Sequence, residues 1–247
     1  MRIEPFTVGN YVHVLKRGAR GLNIVEDISD RRRFLALLYY MNDEFLDENW
    51  VRELKSDFLD GSQTTVNSKF ERNALWPPRK PLVKILCYTL MPNHFHIMVK
   101  ENSEGGVSKF MQKVGQSMTL HFNEKNNLKG KGSIFQGSYK GKVINEDRYL
   151  RYLSAYIMVK NTFELYPKGG LSGAQKNFED AWEWSSTYEF SSFADYCGKR
   201  DSEIIDKDIS GEIFEVKKFK SFARDVISGG KWEKKNGDAE FARLAVE

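Results

Sequence analysis

The chain is short of cysteine, short of histidine and without a long apolar run, and each scarcity excludes something. Its two cysteines, Cys87 and Cys197, stand 110 positions apart in unrelated contexts. Neither a CxxC spacing nor a disulfide framework surrounds them, so both read as free thiols. No stretch nears the roughly 18 consecutive apolar residues that a membrane span needs. The opening residues MRIEPFTVGN lack the basic-then-apolar pattern of a secretion signal, and a cytoplasmic protein with no membrane partner is the expectation. No internal repeat or low-complexity tract occurs. What is there is a chain of 247 residues, 40% hydrophobic and 29% charged, enough to bury a real core as one large domain, or one domain with an appendage.

The net charge is only +4, but it is unevenly spread. Between Gly106 and Lys160 ten lysines and arginines, among them Lys140, Lys142, Arg148 and Lys160, face only Glu124, Glu146 and Asp147. Seven phenylalanines and tyrosines are interleaved with them. Cations alternating with rings suit a groove that tracks a nucleic-acid backbone and stacks its bases. A solvated helix face over an aromatic core fits the same composition.

Hydrophobic periodicity orders the elements. NYVHVLK (10–16) alternates as a strand, and a helix starts near Asp27 to Asp30 and runs through RRRFLALLYYM. Residues 42–81 are polar and broken by Pro77-Pro78, an insertion or long loop. VKILCYTL (83–90) and HFHIMVK (94–100) read as two strands about the turn Met91-Pro92-Asn93. VSKFMQKVGQSMTLHFNEK (107–125) is an amphipathic helix with Val107, Phe110, Met111, Val114, Met118 and Phe122 along one face. SIFQGSYKGKVI (133–144) is a strand or hairpin, and Asn145-Glu146-Asp147 caps the helix RYLRYLSAYIMVKN. This order predicts an α+β fold: a ferredoxin-like antiparallel sheet with helices packed on one face. The catalytic unit is placed at 1–165, and 166–247 as a C-terminal extension, irregular after Phe163 and α-rich from about Ser202.

Only four histidines exist, and two form His94-Phe95-His96 directly after a turn. Residues two apart on a strand share a face, so both imidazoles point one way and Phe95 the other. Two nitrogens can then share one cation, with oxygen ligands completing the shell. A pair of half-exposed histidines on an edge strand is the plain alternative. His13 reads as a structural histidine outside the ligand set, and His121 as a solvent-side or DNA-facing one.

The stretch YTLMPNHFHIMVK resembles the histidine-hydrophobe-histidine (HUH) motif of the single-tyrosine transposases, in the form found in REP-associated tyrosine transposases. EPFTVGNYVHVLKRG is similar to their first strand and turn, DRRRFLALL to their first helix, GSIFQGSYKGKVI to a further segment, and YLRYLSAYIMVKN to the helix bearing their nucleophilic tyrosine. The matches run in family order from Glu4 to about Asn161. The resemblance implies cleavage and rejoining of single-stranded DNA at hairpin-forming repeats through a 5′-phosphotyrosine at Tyr156. It implies a divalent metal, Mg²⁺ or Mn²⁺, on His94 and His96, and single-stranded or hairpin DNA as partner. Gln136, Tyr139, Lys140, Lys142, Arg148 and Lys160 become DNA contacts, and a monomer is favoured over a dimer.

One departure stands out. Where relatives carry an asparagine four residues after the tyrosine, this chain has Lys160, and Asn161 follows one step later. On a regular helix Asn161 would lie about 100° further round. Either it swings inward as the third ligand, or water replaces that ligand while Lys160 meets phosphate. Two rival readings remain: a non-catalytic nucleic-acid-binding module on the same fold, and a metal-dependent hydrolase of small phosphate esters.

Overall fold

The computed structural model describes residues 6–60, 70–128 and 130–228. Four strands, β1 (Tyr11–Arg17), β2 (Val83–Leu90), β3 (His94–Glu101) and β4 (Lys140–Ile144), form one antiparallel sheet in the order β2-β3-β1-β4. With α1 (Ile28–Tyr40) after β1 and α3 (Gly106–Lys125) after β3, the connectivity is βαββαβ, the ferredoxin-like arrangement that the periodicity predicted. The short α2 (Ser56–Asp60) lies between α1 and β2. After β4 come α4 (Asp147–Ala155), a π-helical turn (Tyr156–Lys160), α5 (Asn161–Glu164), α6 (Gly170–Lys176), α7 (Phe178–Thr187), α8 (Phe193–Tyr196), α9 (Asp208–Ile213) and α10 (Val216–Ile227).

The pleat divides the sheet into two hydrophobic faces. Val12 and Val14 of β1 and Phe95, Ile97 and Val99 of β3 face the first core, with Phe34 and Leu37 of α1 and Phe110, Met111 and Val114 of α3. Met98 faces the second, closed by Leu150 and Leu153 of α4, Ile157 to Val159 of the π turn, Trp182 of α7 and Phe219 of α10. Thus α1 and α3 pack on one face as expected, while the C-terminal helices cover the other. A β-bulge between Ile85 and Cys87 turns both Leu86 and Cys87 toward the second core and puts Thr89 opposite His96.

Several local expectations are corrected. Asp27 does cap α1, its side chain accepting from the Asp30 amide at 3.0 Å. At α4, by contrast, Glu146 makes no side-chain cap bond, and its carbonyl alone receives the Tyr149 and Leu150 amides. Outside 61–69, the 42–81 stretch is no bare loop, because Trp50, Phe58, Phe70 and Trp76 pack around Tyr39 and Tyr40 of α1. Helix also begins before Ser202, because the aromatic cluster after Phe163 builds α6 to α8. Both thiols are free, as expected. Among the described residues no helix is long and apolar enough to cross a membrane.

Gly18, just past β1, has a packing reason: a Cβ there would stand 2.1 Å from the Leu22 carbonyl oxygen. Its amide donates to the Asn93 carbonyl at 2.8 Å, and Ile24 donates to Pro92 at 2.8 Å. The Met91–Asn93 turn is therefore clamped by the segment that follows β1. Phe95 anchors the same hairpin from the core side, fully buried, its ring 5.0 Å from that of Phe34. Phe95→Ala should lower the unfolding free energy by about 3–5 kcal/mol, read from the urea midpoint at unchanged m-value.

Candidate metal and nucleophile site

Strand register builds the site. In the β1–β3 pairing Arg17 stands opposite His94, Leu15 opposite His96 and His13 opposite Met98, so His13, Arg17, His94 and His96 all project toward the second face. The His94 and His96 rings lie 5.0 Å apart. His13, set outside the ligand set from sequence, stacks on His96 at 5.2 Å with the planes 8° apart, and its Nε2 is 2.9 Å from His96 Nδ1.

These contacts fix which nitrogens are available. His94 Nδ1 lies 2.7 Å from Asn93 Oδ1, an acceptor, so His94 Nδ1 donates. A ring whose Nδ1 is held as a donor presents its Nε2 lone pair to a ligand. His96 is held the same way when its Nδ1 donates to His13 Nε2. Burial lowers the His94 pKa to about 4, helped by the Arg17 charge, and that of His13 to about 4. Burial, with His13, His94 and Arg17 nearby, drives His96 well below the usual imidazole range. All three rings are neutral at pH 7, the form that ligates metals.

The π turn delivers the phenol. Tyr156 meets His96 edge-on with ring centroids 5.7 Å apart. Its turn is tied to the sheet by the Thr89 hydroxyl, which donates to the Ile157 carbonyl, and is held within the helix by Thr162, whose hydroxyl donates to the Met158 carbonyl at 2.8 Å. The Asn161 amide bonds back to the Tyr156 carbonyl, five residues earlier. In such a turn residues five apart become near neighbours along the helix, which moves Asn161 toward Tyr156's side, away from where a regular helix would set it. The Asn161 side chain is 1% exposed, and its Nδ2 has no hydrogen-bond partner among the described residues. Lys160 keeps its ammonium 5.9 Å from the Tyr156 ring centroid. Burial, Glu164 and Tyr152 together raise the Tyr156 pKa to about 12, against a smaller lowering by Arg17.

The remaining candidates divide. Lys140 and Lys142 pair with Leu15 and His13 on β4 and so share the imidazole face, Lys142 lying 5.5 Å from the Tyr149 ring. Arg148 is exposed on the first turn of α4 and Gln136 on the loop before β4. Tyr139 instead packs against the first core and bonds to Ser108 at 3.0 Å, away from the site. His121 pairs with Asp30 at 3.0 Å and so ties α3 to α1. Sequence reasoning missed Asn93 and Arg17 and discounted His13. The alternation of VHVLKR already puts His13 and Arg17 on one face, and only the β1–β3 register shows that it is the face of His94 and His96.

Residues 78–160 match the family model described as "Transposase IS200 like". That match covers less than half of the chain and is a likeness over that segment. No curated protein matches it. A solved structure described as a REP associates tyrosine transposase bound to a REP hairpin is similar at 12% identity and a TM-score of 0.40, covering 83% of this chain and 93% of that one. The matched segment holds His94, His96 and Tyr156 and stops one residue before Asn161.

Among the described residues, no group of three or more His, Cys, Asp or Glu is arranged to hold a metal ion. The donor set that fits a divalent cation is narrower: two neutral imidazoles with Nε2 available and, one helical turn from Tyr156, a buried side-chain amide. The pKa shifts also predict a pH dependence. The unfolded chain binds protons at His13 near pH 6.5 and the folded chain only near pH 4, so stability is complete above pH 6.5 and falls between 6.5 and 4. His13 contributes about 3 kcal/mol to that fall. Urea titrations at pH 7.5, 6, 5 and 4.5 should show it, and His13→Gln should flatten the slope.

Proposed function

We propose that this chain is an IS200-like transposase that cuts and rejoins single-stranded DNA through Tyr156, at hairpin-forming repeats of the REP-associated kind. The observation that carries the reading is the edge-on packing of Tyr156 on His96, 5.7 Å between ring centroids, beside a second imidazole on the same strand face. The Tyr156 oxygen attacks the phosphorus of a phosphodiester and a new O–P bond forms. The bond to the 3′-oxygen breaks, and that oxygen leaves as a 3′-hydroxyl after taking a proton. The DNA stays joined to the protein by its 5′-phosphate, and a 3′-hydroxyl attacking that linkage reverses the cut or joins a new strand.

His94 and His96 would hold the divalent cation, Mg²⁺ or Mn²⁺, with Asn161 as the candidate third ligand. When bound, the ion supplies charge that polarises the phosphate and offsets the extra negative charge of the transition state. His13 and Asn93 hold the two rings in orientation. A phenol held near pKa 12 is a weak nucleophile at neutral pH, and a cation nearby favours its phenolate. Arg17 and Lys160 are the chain's own cations closest to that role, and each is equally suited to a phosphate oxygen. Lys140, Lys142, Arg148 and Gln136 extend the DNA path, with Tyr139 a more distant contact. The reading takes 1–165 as the nuclease unit and 166–247 as an extension that touches DNA, acting as a monomer in the cytoplasm.

A second reading rests on Lys160, which stands where relatives have an asparagine: a module that binds DNA without cutting it. A 3′-labelled hairpin oligonucleotide with a single-stranded extension, incubated with Mn²⁺, separates the readings. The proposal expects a protein–DNA adduct that survives denaturing electrophoresis, disappears with chelator and falls at least about a thousandfold in Tyr156→Phe. Tight binding with no adduct supports the module. Cleavage that persists in Tyr156→Phe supports the hydrolase.

A further inference from the structure

Lys16 follows Leu15 on β1 and so points to the sheet face opposite the imidazoles. It is only 9% exposed. Its ammonium lies 4.6 Å from the Phe135 ring centroid and donates to the Gly137 carbonyl at 3.2 Å, and no carboxylate pairs with it among the described residues. Burial lowers its pKa. A cation taken out of water without a counter-charge costs stability, and a carbonyl and a ring repay only part of that.

The ammonium borders a groove of about 600 Å³ between α3 and the loop before β4, with mostly apolar walls. Gln112, Gly115, Gln116 and Thr119 line it as a stripe at helical spacing, with Leu120, 70% exposed, beside them. Gly115 makes the room: a Cβ there would stand 2.9 Å from Lys16 Cε. The groove is also tied to the candidate site. Phe135 bridges to Gly18, and the Gln136 amide donates to the Arg17 carbonyl at 3.0 Å. Lys16 and Arg17 thus send consecutive cations to the two faces of the sheet at the end of β1, and Arg17 faces His94 across the strands.

We infer that this groove is a second nucleotide site, in which Lys16 receives a phosphate of the single strand while the apolar wall takes its base. The inference rests on the reading of the chain as an enzyme of single-stranded DNA. The missing counter-charge is one that DNA supplies at every residue. The mostly apolar wall, with Leu120 exposed, offers a base its contact surface, and the exposed amides of Gln112 and Gln116 match the donor and acceptor pairs on a base edge. A strand held at His94 reaches the groove by passing over the end of β1.

The test uses the full chain carrying Tyr156→Phe, so that binding is read without chemistry, and two fluorescent oligonucleotides: a blunt DNA hairpin and the same hairpin with a single-stranded extension. Lys16→Met should fold with an unchanged or raised melting temperature, since it removes a buried charge. It should bind the extended oligonucleotide about tenfold more weakly and the blunt one as its parent does. The exposed pair Gln112→Leu, Gln116→Leu, which leaves the core untouched, should weaken only the extended oligonucleotide and change its preference among bases. Equal losses on both oligonucleotides, or none on either, overturn the site. If the parent binds and the untouched chain nicks while these variants match it, the groove alone is wrong. If the parent binds neither oligonucleotide, the functional reading fails and takes the groove with it.

Discussion

The pairing of β1 with β3 is the constraint on which the rest of the site depends. Its register sets Arg17, Leu15 and His13 against His94, His96 and Met98. A slip of one residue would exchange the faces and present Val12, Val14 and Lys16 to the imidazoles. The first core opposes any such slip, because Val12, Val14, Phe95, Ile97 and Val99 are each fully buried there. The hydrophobic packing of one face therefore holds the polar chemistry of the other. The cost falls on the histidines, which give up hydration and remain neutral, and that neutrality suits them to ligate a cation.

The second requirement is the arrival of Tyr156. On an unbroken helix the departure at Lys160 would put an ammonium on the tyrosine's side and turn Asn161 away. The π turn changes that phase by one residue, and a helix carries such a turn only where its surroundings support it. Here the support is visible: the Thr89 hydroxyl of the sheet and the Thr162 hydroxyl of the helix each serve a carbonyl of the turn. Thr89 is in place because the bulge at Leu86 set the phase of β2. A distortion in a strand and one in a helix thus meet beside His96.

Short-range pattern made much of this legible. His94-Phe95-His96 is a period-two statement, and its two faces are the ones observed. The α3 stripe and the Asp27 cap were equally local. What escaped was non-local or without a sequence signature. His13 looked structural because nothing in NYVHVLK says which strand lies beside it. The π turn has no compositional marker, so Asn161 could not be placed. The helices after Phe163 are four to twelve residues long and broken by Gly169 and Gly170. They are stabilised by the aromatic packing of Phe163, Trp182, Phe193 and Phe219, and cover a sheet face that periodicity alone left open.

The most direct test of the account is the position of a bound ion relative to the phenol. Anomalous diffraction from crystals grown with Mn²⁺ and an uncleaved oligonucleotide would locate both. The account predicts a single manganese ligated by His94 Nε2 and His96 Nε2, with a DNA phosphate between it and the Tyr156 hydroxyl. Manganese bound away from those two nitrogens, or bound there while Tyr156 faces away from the phosphate, would contradict it.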